Sequence, residues 1–224
     1  MDQLLSGIDI ASIALWAARL MILFGSIILH EISHGYAAYL LGDPTAKMMG
    51  RLTPNPIKHV DMFGTIIMPA AMLLLSGGSF AFGYAKPVPF NPSYFKNERQ
   101  GMLITGIAGP LTNIAIALCS GIAVRVLVAM APVTSTLVQV VIALLYYAVV
   151  INLVLAFFNL VPIPPLDGSR VLQRFLPTNA RNAYHRLEAY GFVIIIAISW
   201  LVPQVFNAYL NVTALPLATL FSGI

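Results

Sequence analysis

Long apolar stretches are the feature of this sequence that most restricts its fold. Four of them, residues 8–41, 101–130, 133–160 and 190–221, exceed the roughly 20 residues that a transmembrane helix needs. Only 9% of the residues are charged, whereas soluble domains carry about 25%. The stretches also lack the alternation of membrane β-barrel strands. We therefore predict an all-α polytopic membrane protein, a bundle of about 5–6 transmembrane or re-entrant helices.

A shorter apolar stretch, residues 62–76, decides the predicted topology. It is below the usual length of a span, so we predict that it is re-entrant. The connectors 43–60, 80–100 and 164–189 then share one side of the membrane. They hold ten of the 12 basic residues: Lys47, Arg51, Lys58, Lys86, Lys96, Arg99, Arg170, Arg174, Arg181 and Arg186. Basic loops mark the cytoplasmic side. If residues 62–76 cross instead, the same ten residues divide three to seven, a weaker bias.

The whole chain, residues 1–224, is predicted to form one membrane domain. Asp2 and Asp9 stand where a cleavable signal peptide would have basic residues, so we expect no signal peptide. A single cysteine, Cys119, excludes an internal disulfide and a thiolate metal site. The net charge of +4 comes from basic residues between the apolar stretches, so we expect a lipid bilayer and no nucleic acid as partner.

The first apolar stretch contains the ionisable residues His30, Glu31 and His34. Placing a charge in lipid costs about 2.5 kcal/mol or more, so such groups need a compensating partner. His30 and His34 are four residues apart and lie on one face of a helix, with Glu31 beside them. This HExxH spacing is typical of zinc hydrolases, and it predicts that His30 and His34 bind a metal ion. A helix with two hydrogen-bonded histidines is the alternative.

A catalytic zinc ion usually has three protein ligands, so one more ligand is expected. Asp167 is the best candidate, because it follows three prolines that break a helix. Unwound backbone at membrane depth is tolerated only where it lines a cavity or is buried in protein. Capping of the following helix is the alternative role for Asp167. His59 and Asp61 are the runner-up pair in a charged connector, and His185 and Glu188 are further candidates.

Three motifs follow one another along the chain: HExxH at residues 30–34, GxxxN at 109–113 and NxxPxPxxDG at 159–168. Together and in this order they resemble the signature of the site-2 protease family of intramembrane zinc metalloproteases. The segments GRLTPNP at 50–56 and YAKPVP at 84–89 further resemble the compact prokaryotic branch of that family, which lacks PDZ and CBS domains.

The resemblance implies a zinc endopeptidase that cleaves transmembrane segments of other membrane proteins. One Zn²⁺ per chain would be held by His30, His34 and Asp167. Glu31 would be the catalytic base for the attacking water. The enzyme would be a multi-pass protein of the cell membrane, with its active site toward the cytoplasmic side.

Three further elements are candidates for substrate contact. Asn113 would offer its amide to substrate or to the oxyanion, with an interhelical hydrogen bond as the alternative. Asn159 would orient Asp167 or bind substrate, with capping of the broken helix as the alternative. Residues 80–92 contain three prolines and are predicted to be extended or a β-hairpin near the active site. They would pair with unwound substrate as an added strand, or form a simple loop lid.

Two other functions use the same residues. A zinc-binding or transport protein would use the ligands without proteolysis, but the inverted repeats of a transporter are not visible in the sequence. A catalytically silent scaffold would not need an intact set of ligands and base.

Overall fold

The computed structural model describes residues 10–75, 77, 85–130, 134–188, 190–191, 193–195, 197 and 203–224. Its α-helices, in chain order, are α1 (Ile10–Leu40), α2 (Thr45–Met48), α3 (Met68–Leu75), α4 (Glu98–Met130), α5 (Thr136–Leu160), α6 (Asp167–Gln173), α7 (Thr178–Glu188) and α8 (Pro203–Ser222). Short 3₁₀ turns occur at Pro56–Lys58 and Pro92–Tyr94, and a π-helical segment at Met62–Ile67 leads into α3. Within these residues there is no β-strand.

Three of the helices, α1, α4 and α5, are long and apolar enough to cross a membrane. This confirms the prediction of an all-α membrane protein. The observed helices agree with the predicted stretches to within three residues at each end. The last predicted stretch, 190–221, lies partly outside the described residues, and its second half forms α8.

Glycine and proline set the ends of the helices. Helix α1 ends at Leu40, and Gly42 follows with a φ of +103°, a left-handed conformation that favours glycine. Asp43 then accepts a hydrogen bond at 2.9 Å from the backbone N–H of Thr45, the first residue of α2. Helix α5 ends at Leu160, immediately before the proline-rich segment that leads to Asp167. The chain therefore leaves α5 and re-enters a helix at a predicted metal ligand.

Helix α4 lies at the centre of the bundle, where it packs against α1, α5, α6 and α8. Small side chains allow this close packing. The buried cluster between α4, α5 and α8 consists of Ala117, Val149, Leu153, Ala214 and Ala218. Because α1 and α6 both contact α4, the two segments that carry the predicted ligands are held against one helix.

The predicted re-entrant stretch is short in the structure as well. Its π-helical segment has six residues and α3 has eight, which together span about 21 Å at 1.5 Å per residue. The hydrocarbon core of a bilayer is about 30 Å thick. Asp61 caps the segment by accepting a hydrogen bond from the N–H of Gly64 at 2.7 Å. The re-entrant topology remains a prediction that this length favours.

Residues 85–91 form an irregular segment that lies against α1. The N–H of Lys86 donates to the carbonyl oxygen of His59 at 2.9 Å, which is a single backbone contact and not a ladder. The first part of the predicted extended segment, residues 80–84, lies outside the described residues. A β-hairpin is therefore not seen in the described part of this segment.

Candidate metal centre

His30 and His34 lie one turn apart on α1 and point the same nitrogen into the bundle. Both side chains are buried, and their Nε2 atoms are 3.0 Å apart. The helical register alone produces this arrangement, since residues four apart share a face. The imidazoles meet edge to face, with their ring centroids 4.7 Å apart.

Asp167 joins the two histidines from the first turn of α6. Its Oδ2 atom lies 3.0 Å from Nε2 of His30 and 3.1 Å from Nε2 of His34. Asp167 is the first residue of α6, after the N-cap residue Leu166, and its Oδ1 atom accepts a hydrogen bond from Arg170 at 3.0 Å. The structure thus brings together three potential ligand atoms from segments more than 130 residues apart in sequence.

The runner-up residues lie elsewhere. His59 is buried, with its Nε2 atom 2.8 Å from the carbonyl oxygen of Thr53, and Asp61 caps the π-helical segment. The side chains of His185 and Glu188 lie outside the described set. Among the residues that the structure describes, His30, His34 and Asp167 are the group that can hold a metal ion.

The outer nitrogens of both imidazoles have partners on α4. Nδ1 of His34 is 2.6 Å from the backbone carbonyl oxygen of Thr105, and Nδ1 of His30 is 2.5 Å from Oδ1 of Asn113. A carbonyl oxygen can only accept, so each Nδ1 carries the hydrogen and each Nε2 presents a lone pair to the site. Such outer partners fix the tautomer and the orientation of a metal-ligating histidine.

Gly109 leaves the space in which the ligand nitrogens meet. A Cβ atom at this position would lie 2.5 Å from Nε2 of His34 and 2.6 Å from Nε2 of His30. Helix α4 therefore approaches the ligands more closely than any other residue type would allow. The open space, the paired Nδ1 atoms and the N,N,O donor set all fit a zinc ion.

The charge of Asp167 also suits a metal ligand. An aspartate carboxylate has an ordinary pKa of about 3.9, and the Oδ1 atom of Asp167 is paired with the guanidinium of Arg170 at 3.0 Å. The ionised carboxylate is the form that binds a cation.

Glu31 lies on the open side of the centre. Its half-buried carboxylate accepts a hydrogen bond from the N–H of Val88 at 2.9 Å. Glu31 and the three ligands line one cavity of about 370 Å³, together with Phe90 and Asn159. A polar group of a substrate in this cavity would meet the ligands and the carboxylate of Glu31 together.

The two asparagines predicted to contact substrate differ in position. Asn113 is fully buried; its Oδ1 atom faces His30 and its Nδ2 atom donates to Oδ1 of Asn152 at 2.8 Å. Of the two alternatives for Asn113, this geometry favours the interhelical hydrogen bond. Asn159 lines the cavity and donates to the carbonyl oxygen of Leu155, one turn back on α5, at 2.9 Å. Its predicted contact with substrate remains a prediction.

Three residues around the centre were not predicted from the sequence: Asn152, Gly109 and Thr105. A signal was present for Asn152, because it is a polar residue inside the apolar stretch of α5, about two turns before Asn159 on the same helix. Such residues are usually functional or paired in membrane helices. No comparable signal marks Thr105, which contributes only its backbone oxygen.

Comparisons with known proteins identify related sequences. The sequence profile of peptidase family M50 matches residues 123–202. The "Putative zinc metalloprotease YwhC" of Bacillus subtilis (strain 168) is 38% identical over 181 residues, which cover 77% of this chain and 75% of that protein. The "Putative zinc metalloprotease Rip2" of Mycolicibacterium smegmatis is 29% identical over 173 residues, covering 77% of this chain and 62% of that protein.

A more distant relative is the "Zinc metalloprotease MJ0392" of Methanocaldococcus jannaschii, 28% identical over 161 residues that cover 72% of this chain and 35% of that protein. No solved structure matches the chain significantly. The names of these relatives imply Zn²⁺ for the three-residue group, as the donor set does. The similarity to the Bacillus protein and the matching family profile show that the chain belongs to peptidase family M50, the site-2 protease family.

Proposed function

We propose that this zinc metalloprotease is an intramembrane endopeptidase that hydrolyses peptide bonds within transmembrane segments of other membrane proteins. The observation that carries the proposal is the cavity, which opens onto three buried ligands and Glu31 at helices long enough to cross a membrane. His30, His34 and Asp167 would hold one Zn²⁺ per chain.

When bound, Zn²⁺ supplies a Lewis acid that polarises the scissile carbonyl and acidifies water. His30 and His34 contribute neutral nitrogen donors, and Asp167 contributes one negative charge. The bond between Arg170 and Oδ1 of Asp167 leaves Oδ2 directed at the histidines. These residues therefore orient the donor atoms toward one point.

Glu31 would handle the proton. Its carboxylate takes a proton from the attacking water and returns it to the nitrogen of the leaving amine, so that the two products are a carboxylic acid and an amine. The hydrogen bond from Val88 occupies one carboxylate oxygen, Oε2, and directs the group into the cavity. The position of Glu31 in the cavity wall suits a base that must reach both water and substrate.

The substrate would have to unwind before it is cut. A helix keeps its carbonyl groups in internal hydrogen bonds, and the ligands are buried below the cavity, so only locally extended backbone reaches them. Segments with helix-weakening residues are therefore the expected substrates. Pairing of residues 85–91 with such a segment is part of this proposal.

The proposed orientation places the multi-pass chain in the cell membrane with the centre toward the cytoplasm. Basic connectors support it, because α1 carries the histidines in its C-terminal half, next to the connector with Lys47 and Arg51.

The test is a comparison of wild type with Glu31→Gln in cells, with new protein termini identified by mass spectrometry of membrane fractions. The proposal expects wild type alone to produce new termini within apolar segments of membrane proteins. Equal cleavage by both proteins would contradict the role of Glu31. Cleavage confined to soluble domains would contradict the intramembrane assignment. Movement of zinc across liposomes by purified wild type, with no cleavage, would favour the transport alternative.

A further inference from the structure

We propose that Asn152 is a positioning residue that selects the tautomer of His30 by fixing the direction of the Asn113 amide, with Ser26 behind it. The proposal rests on the proposed assignment of His30 as a zinc ligand. It concerns a chain of hydrogen bonds that crosses α5, α4 and α1. None of these three polar groups needs to touch substrate.

Ser26, at the end of the hydrogen-bond series farthest from His30, sets which atoms in the series donate and which accept. The hydroxyl of Ser26 donates to the carbonyl oxygen of Ile22 at 2.8 Å, which uses its single hydrogen. Toward Asn152 the hydroxyl can then only accept, and it lies 2.9 Å from Nδ2 of Asn152. The second hydrogen of Nδ2 is directed at the carbonyl oxygen of Ala148, also at 2.9 Å. Two acceptors thus hold the nitrogen end of the Asn152 amide.

The remaining links follow from this orientation. Oδ1 of Asn152 must face Asn113, where it accepts from Nδ2 at 2.8 Å. The oxygen of the Asn113 amide must then face His30, 2.5 Å from Nδ1. An oxygen at this position requires hydrogen on Nδ1, so Nε2 is left as the donor atom for a metal. A reversed amide at Asn113 would place its N–H groups against Nδ1 and favour the wrong tautomer.

Burial prevents the side-chain amides of Asn113 and Asn152 from reversing their orientation. Asn113 and Asn152 are 0% exposed and Ser26 is 4% exposed, so water cannot replace a lost partner. An unsatisfied buried polar group is destabilising, and a reversed amide would leave at least one such group. His34 needs no such chain, because a backbone carbonyl, that of Thr105, already specifies its tautomer. His30 is thus the ligand whose tautomer depends on side chains.

A purely structural role for Asn152 is distinguishable by a double-mutant cycle on zinc affinity. The proteins are wild type, Asn152→Leu, Asn113→Ala and the double variant, each as the full chain in detergent. Zn²⁺ affinity is measured by competition with a chelator and needs no substrate. We expect each single variant to weaken binding about 10–100-fold, the usual effect of outer partners of a ligand. In the Asn113→Ala background, Asn152→Leu should add no further loss, because its effect passes through Asn113.

Additive losses in the cycle, or unchanged affinity in Asn152→Leu, would overturn the proposal. If Asn152→Leu does not fold, Ser26→Ala replaces it in the cycle, with an expected loss of a few fold that disappears in the Asn113→Ala background. A Ser26→Ala loss that persists there, or the absence of any loss, would equally overturn it. The matched control is Tyr209→Phe, which removes a 3.1 Å hydrogen bond from α8 to the carbonyl oxygen of Phe157 on α5 and should leave zinc affinity unchanged.

The cycle also separates this proposal from the proposed function. If the effects of the Asn152 and Asn113 substitutions on zinc affinity are coupled but no proteolysis is detected, the positioning role of Asn152 stands and the endopeptidase function is contradicted. If proteolysis is detected but the two losses of zinc affinity are additive, the endopeptidase function stands and the positioning role is contradicted. Failure of wild type to bind Zn²⁺ would overturn both.

Discussion

The two sides of the centre are held in different ways. The three proposed ligands are buried, and their outer atoms bond to the helical residues Asn113, Thr105 and Arg170. Glu31 is half-buried, and its hydrogen bond comes from Val88, in the irregular segment 85–91. The metal side is therefore fixed by helix packing, whereas the base side is fixed by a segment that also lines the cavity. Metal binding and proton transfer should accordingly respond to different substitutions.

The segment beside Glu31 is anchored at both of its ends. The buried Arg51 donates through Nη2 to the carbonyl oxygens of Lys86 at 2.7 Å and Pro87 at 3.2 Å. Asp43 accepts from the N–H of Asn91 at 2.5 Å. These contacts hold the Val88 N–H in place without touching a ligand.

The largest effect is expected at the metal side, from Asp167→Asn. The neutral amide removes the negative charge that the two histidines face, so zinc affinity should fall by more than the ~10–100-fold typical of outer contacts, and cleavage should be lost with it. Asp61→Asn is the matched control, because asparagine also caps helices and Asp61 lies outside the centre. Retention of wild-type affinity by Asp167→Asn would remove Asp167 from the ligand set.

A smaller loss on the same side is expected from Gly109→Ala. The added methyl group would lie 2.5–2.6 Å from the ligand nitrogens, so they must shift. Overpacking of this kind costs about 1–3 kcal/mol. Zinc affinity, measured by chelator competition, should fall about tenfold or more. The control is Gly25→Ala on α1, where a Cβ atom has nothing within 4 Å, and where affinity should not change. Equal behaviour of the two variants would refute the close approach of α4.

The smallest effect is expected at the base side, from Arg51→Gln. Loss of the two bonds to residues 86 and 87 should loosen the segment and reduce cleavage about tenfold, equivalent to ~1.4 kcal/mol in the barrier. Zinc affinity should be unchanged. Lys58→Gln, a change at an exposed basic residue of the same connector, should alter neither quantity. A loss of zinc in Arg51→Gln would show that the two sides are not separate.

The sequence predicted the elements better than their contacts. Glycine and proline act locally, so the end of α1 near Gly42 and the break before Asp167 could be located from the sequence. The HExxH spacing likewise specifies a helix face without any tertiary information. His30, His34 and Asp167, which the structure brings together, could therefore be proposed as ligands from the sequence, with Glu31 beside them.

Contacts between helices depend on how each helix is rotated about its axis, and the sequence of α5 does not reveal that rotation. Its apolar residues are spread around the helix, so their periodicity does not show which face meets α4. The partnership of Asn152 with Asn113, and the closeness of Gly109 to the ligands, therefore required the structure.

The separation of the two sides is tested most directly by the zinc affinity and the cleavage activity of Glu31→Gln, measured on the same preparation. Glutamine keeps an oxygen that can accept from Val88, but it cannot take a proton from water. We expect wild-type zinc affinity and a loss of cleavage of about 10²-fold or more. Loss of zinc from Glu31→Gln, or cleavage at the wild-type rate, would contradict it.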